Sequence, residues 1–221
     1  KIDTLYLGGG NPSILSVKSL DWLIDELAKI FDFQSNLEIT LEANPDDLSP
    51  EYLMELSHSR INRLSIGVQS FKEEDLRFMN RAHSAAESLR SLELLPQYGF
   101  DNYTIDLIYG LPNQSLEDWQ WQLGFLERFK VPHFSAYALT VEEKTVLHRQ
   151  VEMGEVTLKE ELALDHFKAL QSFANDAGFS HYELSNFCRP GFRSKHNTSY
   201  WENKSYLGLG PSAHSFNGKS R

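Results

Sequence analysis

Apolar positions follow two rhythms along the chain. In short stretches they alternate with polar residues or run unbroken; in longer ones they recur every three or four positions. Ile2–Leu7 reads IDTLYL and leads into three glycines. Residues 37–41 (LEITL), 63–68 (RLSIGV), 103–108 (YTIDLI) and 133–139 (HFSAYAL) have the same β-rich character, and 179–184 reads as one more strand. Between them the spacing turns helical. Residues 17–31 place Leu20, Leu23, Ile24, Leu27 and Ile30 on one face. Residues 73–80, 85–95, 116–129 and 159–177 read as further helices. A helix also opens after Leu48, where Ser49 is a natural N-cap and Pro50 fits the first helical position. Ser115 caps 116–129, and Gly99 and Gly178 close the helices before them.

Strand and helix thus alternate five or six times, the pattern of parallel strands joined by crossover helices. Both a doubly wound open sheet and a (β/α) barrel fit that pattern. Periodicity alone does not choose between them.

Each strand ends on a polar or glycine-rich group. The first ends at Gly8-Gly9-Gly10-Asn11 and the second at Glu42-Ala43-Asn44-Pro45. The third ends at Gln69-Ser70, the fourth carries Asp106, and the fifth ends at Tyr137-Ala138. Successive spacings from Gly9 through Glu42, Gln69 and Asp106 to Ala138 are 33, 27, 37 and 32 residues, about one βα unit each. These groups therefore return to the same end of the sheet, where α/β proteins bind ligands. Strand ends are also polar simply because they meet water. Asp106 is the sharper signal: a carboxyl inside an apolar run needs a partner or a ligand. The glycine loop lets backbone approach a ligand closely. It is neither a dinucleotide fingerprint nor a phosphate loop, because the third glycine and the Gly-Lys pair those motifs need are absent.

Charge and cysteine content narrow the function. Lys and Arg total 21 against 31 Asp and Glu, a formal net charge of -10. Such a chain offers no general surface for a polyanion, which argues against a nucleic-acid partner. No stretch is long and apolar enough for a transmembrane segment. The single cysteine, Cys188, excludes an internal disulfide and fits a reducing, cytoplasmic setting.

Taken together, LGGGNPSIL, LEANP, RLSIGVQSF, NRAH, IDLIYGLPNQS and HNTSYW, in that order, resemble the radical SAM proteins of the oxygen-independent coproporphyrinogen oxidase group and their heme-chaperone branch. The resemblance covers essentially the whole chain. It implies a partial, open (β/α)6 TIM-type barrel. Residues 1–178 would form that barrel, without the family's first strand. Residues 179–221 would hold the last barrel strand and the HNxxYW segment leading toward a C-terminal domain that this sequence does not contain.

The resemblance also implies cofactors. S-adenosylmethionine (SAM) and a [4Fe-4S] cluster together yield a 5′-deoxyadenosyl radical in this family. Gly9, Gly10 and Asn11 would lie against SAM, with loop backbone receiving its amino group. Glu42, Gln69 and Arg81 would contact it. Asp106 would take the ribose or adenine side, and Ala138 would line the adenine. A zwitterion bearing a sulfonium suits a carboxylate, an arginine and close backbone. On sequence alone, Arg81 reads more readily as a solvated surface charge. The family's Cys-x3-Cys-x2-Cys motif precedes the glycine loop, so cluster ligands are expected upstream of Lys1.

The HNxxYW block implies the heme-chaperone branch: a protein that binds heme and delivers it to an acceptor protein, with His196 as the candidate axial ligand. The alternative is a coproporphyrinogen III oxidase acting on a porphyrinogen, and whether the chain is an enzyme turns on that choice. Read without the resemblance, His196 and Asn197 are a hydrogen-bonding pair in a loop, and Tyr200 and Trp201 are core aromatics.

Overall fold

A computed structural model describes residues 1–221, the side chain of Glu160 excepted. Five strands run parallel: β1 (Ile2–Leu7), β2 (Phe33–Ala43), β3 (Arg63–Gln69), β4 (Tyr103–Tyr109) and β5 (His133–Ala138). The helices between them are α1 (Val17–Ile30), α2 (Pro50–Ser57), α3 (Glu73–Phe78), α4 (Ala85–Leu94) and α5 (Leu116–Arg128). Beyond β5 come α6 (Val146–Glu152), α7 (Glu160–Asp176), β6 (Ser180–His181), β7 (Asn186–Cys188) and α8 (Lys195–Trp201).

Strand order decides the architecture. The sheet runs β1-β2-β3-β4-β5-β7-β6, so each parallel strand is added on the same side as the last. A doubly wound sheet reverses direction at a switch point; this one does not. Successive right-handed crossovers then stack their helices on one face, and the sheet curls as a barrel begins to. It remains open, because β1 and β6 do not pair.

Alternation along each strand sorts side chains to the two faces. Leu41, Leu64, Ile66, Ile105, Leu107 and Phe134 are fully buried against the helices, with Leu20, Ile24, Leu53 and Trp119 on the helix side. Each such side chain stabilises the fold by about 1.5–3 kcal/mol. The other parity carries Tyr6, Glu38, Glu42, Arg63, Asp106 and His133. A closed barrel of this family of folds fills its centre with branched apolar residues; here the concave face is polar.

Helix starts follow the sequence. Ser49 accepts from Tyr52 N–H at the start of α2, with Pro50 at its first position. Ser84 and Ser115 form reciprocal capping boxes with Glu87 and Asp118.

Three elements differ from expectation. The strand expected at 179–184 is a two-stranded antiparallel turn: β6 pairs with β7, and β7 pairs antiparallel with β5. Phe179 and Phe187 enter the core from its two arms, while Leu184 at the turn is 72% exposed. The chain reverses there because the Glu183 carboxylate accepts from Ser185 N–H and from the Asn186 amide. Helices α6 and α8 were not expected. Helix α8 turns the presumed His196-Asn197 loop into regular structure, and Tyr200 and Trp201 stand 44% and 57% exposed rather than in the core.

Among the described residues no helix is long and apolar enough to cross a membrane.

Candidate functional site

The carboxyl ends of β1–β4 enclose a polar basin. Its first wall is the glycine loop, where Gly9 and Gly10 adopt φ of 75° and 112°. Only glycine takes such angles without strain, and nothing lies within 4 Å of where a side chain would stand. The loop backbone is therefore open to a ligand. Gly9 N–H donates to Glu42 Oε2 at 2.9 Å, and the Tyr6 hydroxyl donates to Glu42 Oε1 at 2.8 Å. One carboxylate thus ties β2 to the loop after β1. Asn11 sits in the same loop, but its side chain is committed: its amide donates to Asp47 Oδ2 at 3.0 Å and its Oδ1 accepts from Ser13.

The second wall is the end of β3. A β-carbon on Gly67 would stand 3.0 Å from Gln69 Nε2, 3.1 Å from Arg81 Nη2 and 3.8 Å from Asn44 Oδ1. Three polar groups from three segments therefore meet over one bare backbone position. Gln69 is held at φ 65°, a left-handed conformation that costs about 1–3 kcal/mol in a side-chain-bearing residue. The turn behind it supports that strain. Ser70 Oγ lies 2.7 Å from Asp75 Oδ2 and 2.8 Å from Gln122 Oε1, and Phe71 N–H donates to Gln122 Oε1. All four groups are buried.

Arg81 arrives through a second device. Asn80 turns the chain at φ 52°, and buried His83 donates from Nε2 to the Val68 carbonyl at 3.0 Å. Burial lowers the His83 pKa, so the ring stays neutral in this role. Arg81 makes no ion pair among the described residues and faces the basin.

Asp106 forms the floor. Burial pushes its carboxyl up to about 6; the neighbouring Ser135 hydroxyl opposes this, Glu42 adds to it, and Arg81 and Arg63 pull it back. Strand parity puts Asp106 on the same face of the sheet as Tyr6, Glu42 and Arg63. Tyr137 shares it: burial and then Asp106 push its hydroxyl up to about 12. Ala138, by contrast, stands at the exposed end of β5 on the opposite parity.

Sequence reasoning missed Tyr6, and it placed Asn44 and Tyr137 among the strand-end groups without giving either a ligand contact. Asn44 and Tyr137 stood beside residues already singled out; Tyr6 had only its strand parity to mark it.

Beneath the basin lies α8, laid across the inner face. Glu38 accepts from Lys195 N–H at 3.1 Å and His196 N–H at 2.9 Å. The far side is held through Asn197 to Tyr182, and Tyr182 to His133 at 2.7 Å. Both ring nitrogens of His196 are engaged, Nδ1 with Thr4 Oγ1 at 2.8 Å and Nε2 with the Tyr200 hydroxyl at 3.0 Å. Metal ligation by His196 requires one of these bonds to be given up.

The basin fits SAM on its own chemistry. It offers a loop with no side chain over it, a guanidinium without a carboxylate partner among the described residues, and carboxyl groups for a sulfonium and a ribose. A cluster does not fit these residues. Among the described residues no group of three His, Cys, Asp or Glu could hold a metal. Cys188 is buried in β7, and burial pushes its thiol up, away from the thiolate a cluster needs.

This is the partial, open barrel of the radical SAM fold. Residues 1–123 match the model of the Radical SAM superfamily, more than half of the chain, and the chain belongs to that family. Within it the sequence is HemW-like. It is 40% identical to heme chaperone HemW of Lactococcus lactis, across 96% of this chain and 56% of that protein. Against heme chaperone HemW of Bacillus subtilis it is 36% identical, across 100% of this chain and 59% of the relative. Among solved structures, coproporphyrinogen III oxidase (HemN) of Escherichia coli superposes with a TM-score of 0.82 at 26% identity, covering 98% of this chain and 52% of that one. The chain spans a little over half the length of these relatives.

Proposed function

We propose that residues 1–221 form the SAM-binding body of a HemW-type heme chaperone, which binds heme and delivers it to acceptor proteins. What supports the SAM half is that Gln69 and Arg81 converge over Gly67 while Glu42 holds the glycine loop, with Asp106 on the same face of the sheet. Gly9 and Gly10 present backbone to the amino-acid end of SAM. Arg81 pairs with its carboxylate, and Gln69 and Glu42 hydrogen-bond beside it. Asp106 accepts from the ribose hydroxyls, and the end of β5 at Ala138 borders the adenine. When bound, SAM with a reduced cluster supplies radical chemistry; the cluster's ligands come from outside these residues. What this chain contributes is orientation and the exclusion of water.

The heme half rests on the likeness to proteins named heme chaperones. It is also supported by the exposed apolar groups of α8 and the segment after it, Trp201, Leu207 and Leu209. A flat apolar macrocycle suits such a surface. In this reading His196 ligates heme only after releasing Thr4 or Tyr200. Heme titration of the protein against His196→Ala tests this: a lost or shifted Soret band is expected, and an unchanged band and affinity remove His196 as a ligand.

The likeness in fold to a coproporphyrinogen III oxidase favours a second reading, decarboxylation of a porphyrinogen. Incubating the reconstituted protein with coproporphyrinogen separates the two. No carbon dioxide release is expected of a chaperone, and robust turnover overturns that assignment.

A further inference from the structure

We propose that His196 is a positioning residue for the SAM basin, acting through Tyr6 on Glu42; this rests on the SAM reading above. The contacts form one line through the molecule. The His196 imidazole stacks on the Tyr6 ring, centroids 4.7 Å apart and planes 22° apart. The Tyr6 hydroxyl donates to Glu42 Oε1, and Glu42 Oε2 accepts from Gly9 in the glycine loop. His196 itself cannot drift. Thr4 and Tyr200 hold its two ring nitrogens, Tyr200 meets its ring edge-on at 5.1 Å, and Glu38 accepts from its backbone N–H.

The physical need for such a strut is specific. Glu42 projects from β2 into an open polar basin, where a carboxylate can adopt several rotamers. Its useful geometry, one oxygen on the loop backbone, depends on the other oxygen being held by Tyr6. Tyr6 in turn stands on the concave face, where no apolar core packs against it. The imidazole of α8 supplies the flat surface that fixes the phenol ring. The helix beneath the basin thereby sets the shape of the basin's first wall without touching the ligand.

The test is a double-mutant cycle on the reconstituted holoprotein, read by equilibrium dialysis of SAM. His196→Ala and Tyr6→Phe are each expected to weaken SAM binding about fivefold to tenfold, the size of one lost hydrogen bond or ring contact. The double variant is expected to bind no more weakly than either single variant, because both act through Glu42. His196→Phe keeps a ring against Tyr6 and should recover most of the affinity. Should His196→Ala fail to fold, His196→Gln removes the ring while keeping a polar link to Thr4, with the same loss expected. SAM affinity unchanged in His196→Ala, additive losses in the cycle, or no recovery of affinity in His196→Phe each overturn the proposal. If the wild type itself binds no SAM, the SAM reading falls; if the wild type binds and His196→Ala binds equally well, only this proposal falls.

Discussion

Asp106, in its proposed role, is a carboxyl that would serve binding at the expense of stability. Burial raises its pKa to about 6 in the folded chain. At acidic pH it is protonated in both folded and unfolded chains, and the raised value has no consequence. As pH climbs from the ordinary carboxylate range through about 6, the unfolded chain releases its proton first, so folding loses stability across that window. Asp106→Asn should therefore be more stable than wild type at pH 7, on the order of 2 kcal/mol by urea unfolding, with the difference vanishing near pH 4. The same substitution should flatten SAM affinity against pH. In wild type, affinity should rise between pH 5 and 7 as the carboxylate forms. Arg81 is the opposite case, exposed and without an ion-pair partner, so its loss leaves no buried group unsatisfied. Arg81→Ala should move the melting temperature little, within about 0.5 kcal/mol, while weakening SAM binding about tenfold through loss of a charge-assisted pair. Equal effects on stability and affinity would mean that Arg81 supports the fold rather than the ligand.

At the scale of elements, the turn after β3 is the costliest piece of local structure. Gln69 is strained, and the buried group of Ser70, Asp75, Gln114 and Gln122 keeps it so. Gln122→Leu removes the acceptor of Phe71 N–H and one donor to Asp75 together. It should cost about 2–4 kcal/mol in denaturant unfolding, more than a surface change can. The elements that make this turn were legible in sequence because their signals are local: RLSIGV alternates, and Ser115 caps α5. Helices α6 and α8 were not, although Thr145 and Ser194 cap them by accepting from His148 and Asn197. Helices of seven residues owe their stability to docking, not to propensity. For α8 the docking partner is Glu38, more than 150 residues away. The turn between β6 and β7 escaped for the same reason: Phe179 to Leu184 alternates alike whether the chain runs on or reverses, and Phe187 reveals the reversal only by packing on Phe134.

Across the whole molecule, parallel strands wound in one direction turn a linear spacing into a shared rim, and this made Glu42, Gln69 and Asp106 legible as residues of one end of the sheet. Which alternate residues face inward depends on the curl of the sheet, so Tyr6 and the polar layer beneath the rim were not. That layer, spanned by α8, joins the region of the proposed heme site to the SAM basin, and it makes competing demands on one imidazole. To ligate heme, His196 must release Thr4 or Tyr200; to support Glu42, it must stay flat against Tyr6. Heme bound through His196 should therefore lower SAM affinity. Linkage requires SAM to lower heme affinity by the same factor, expected at about fivefold to tenfold, the share of SAM binding carried by the Tyr6 contact. Two titrations check this: SAM affinity with and without saturating heme, and heme affinity with and without saturating SAM. Equal reductions in both affinities support a shared imidazole. Independent affinities would mean that heme sits on the exposed apolar surface beyond α8 without drawing on His196, and the histidine would then serve the SAM basin alone.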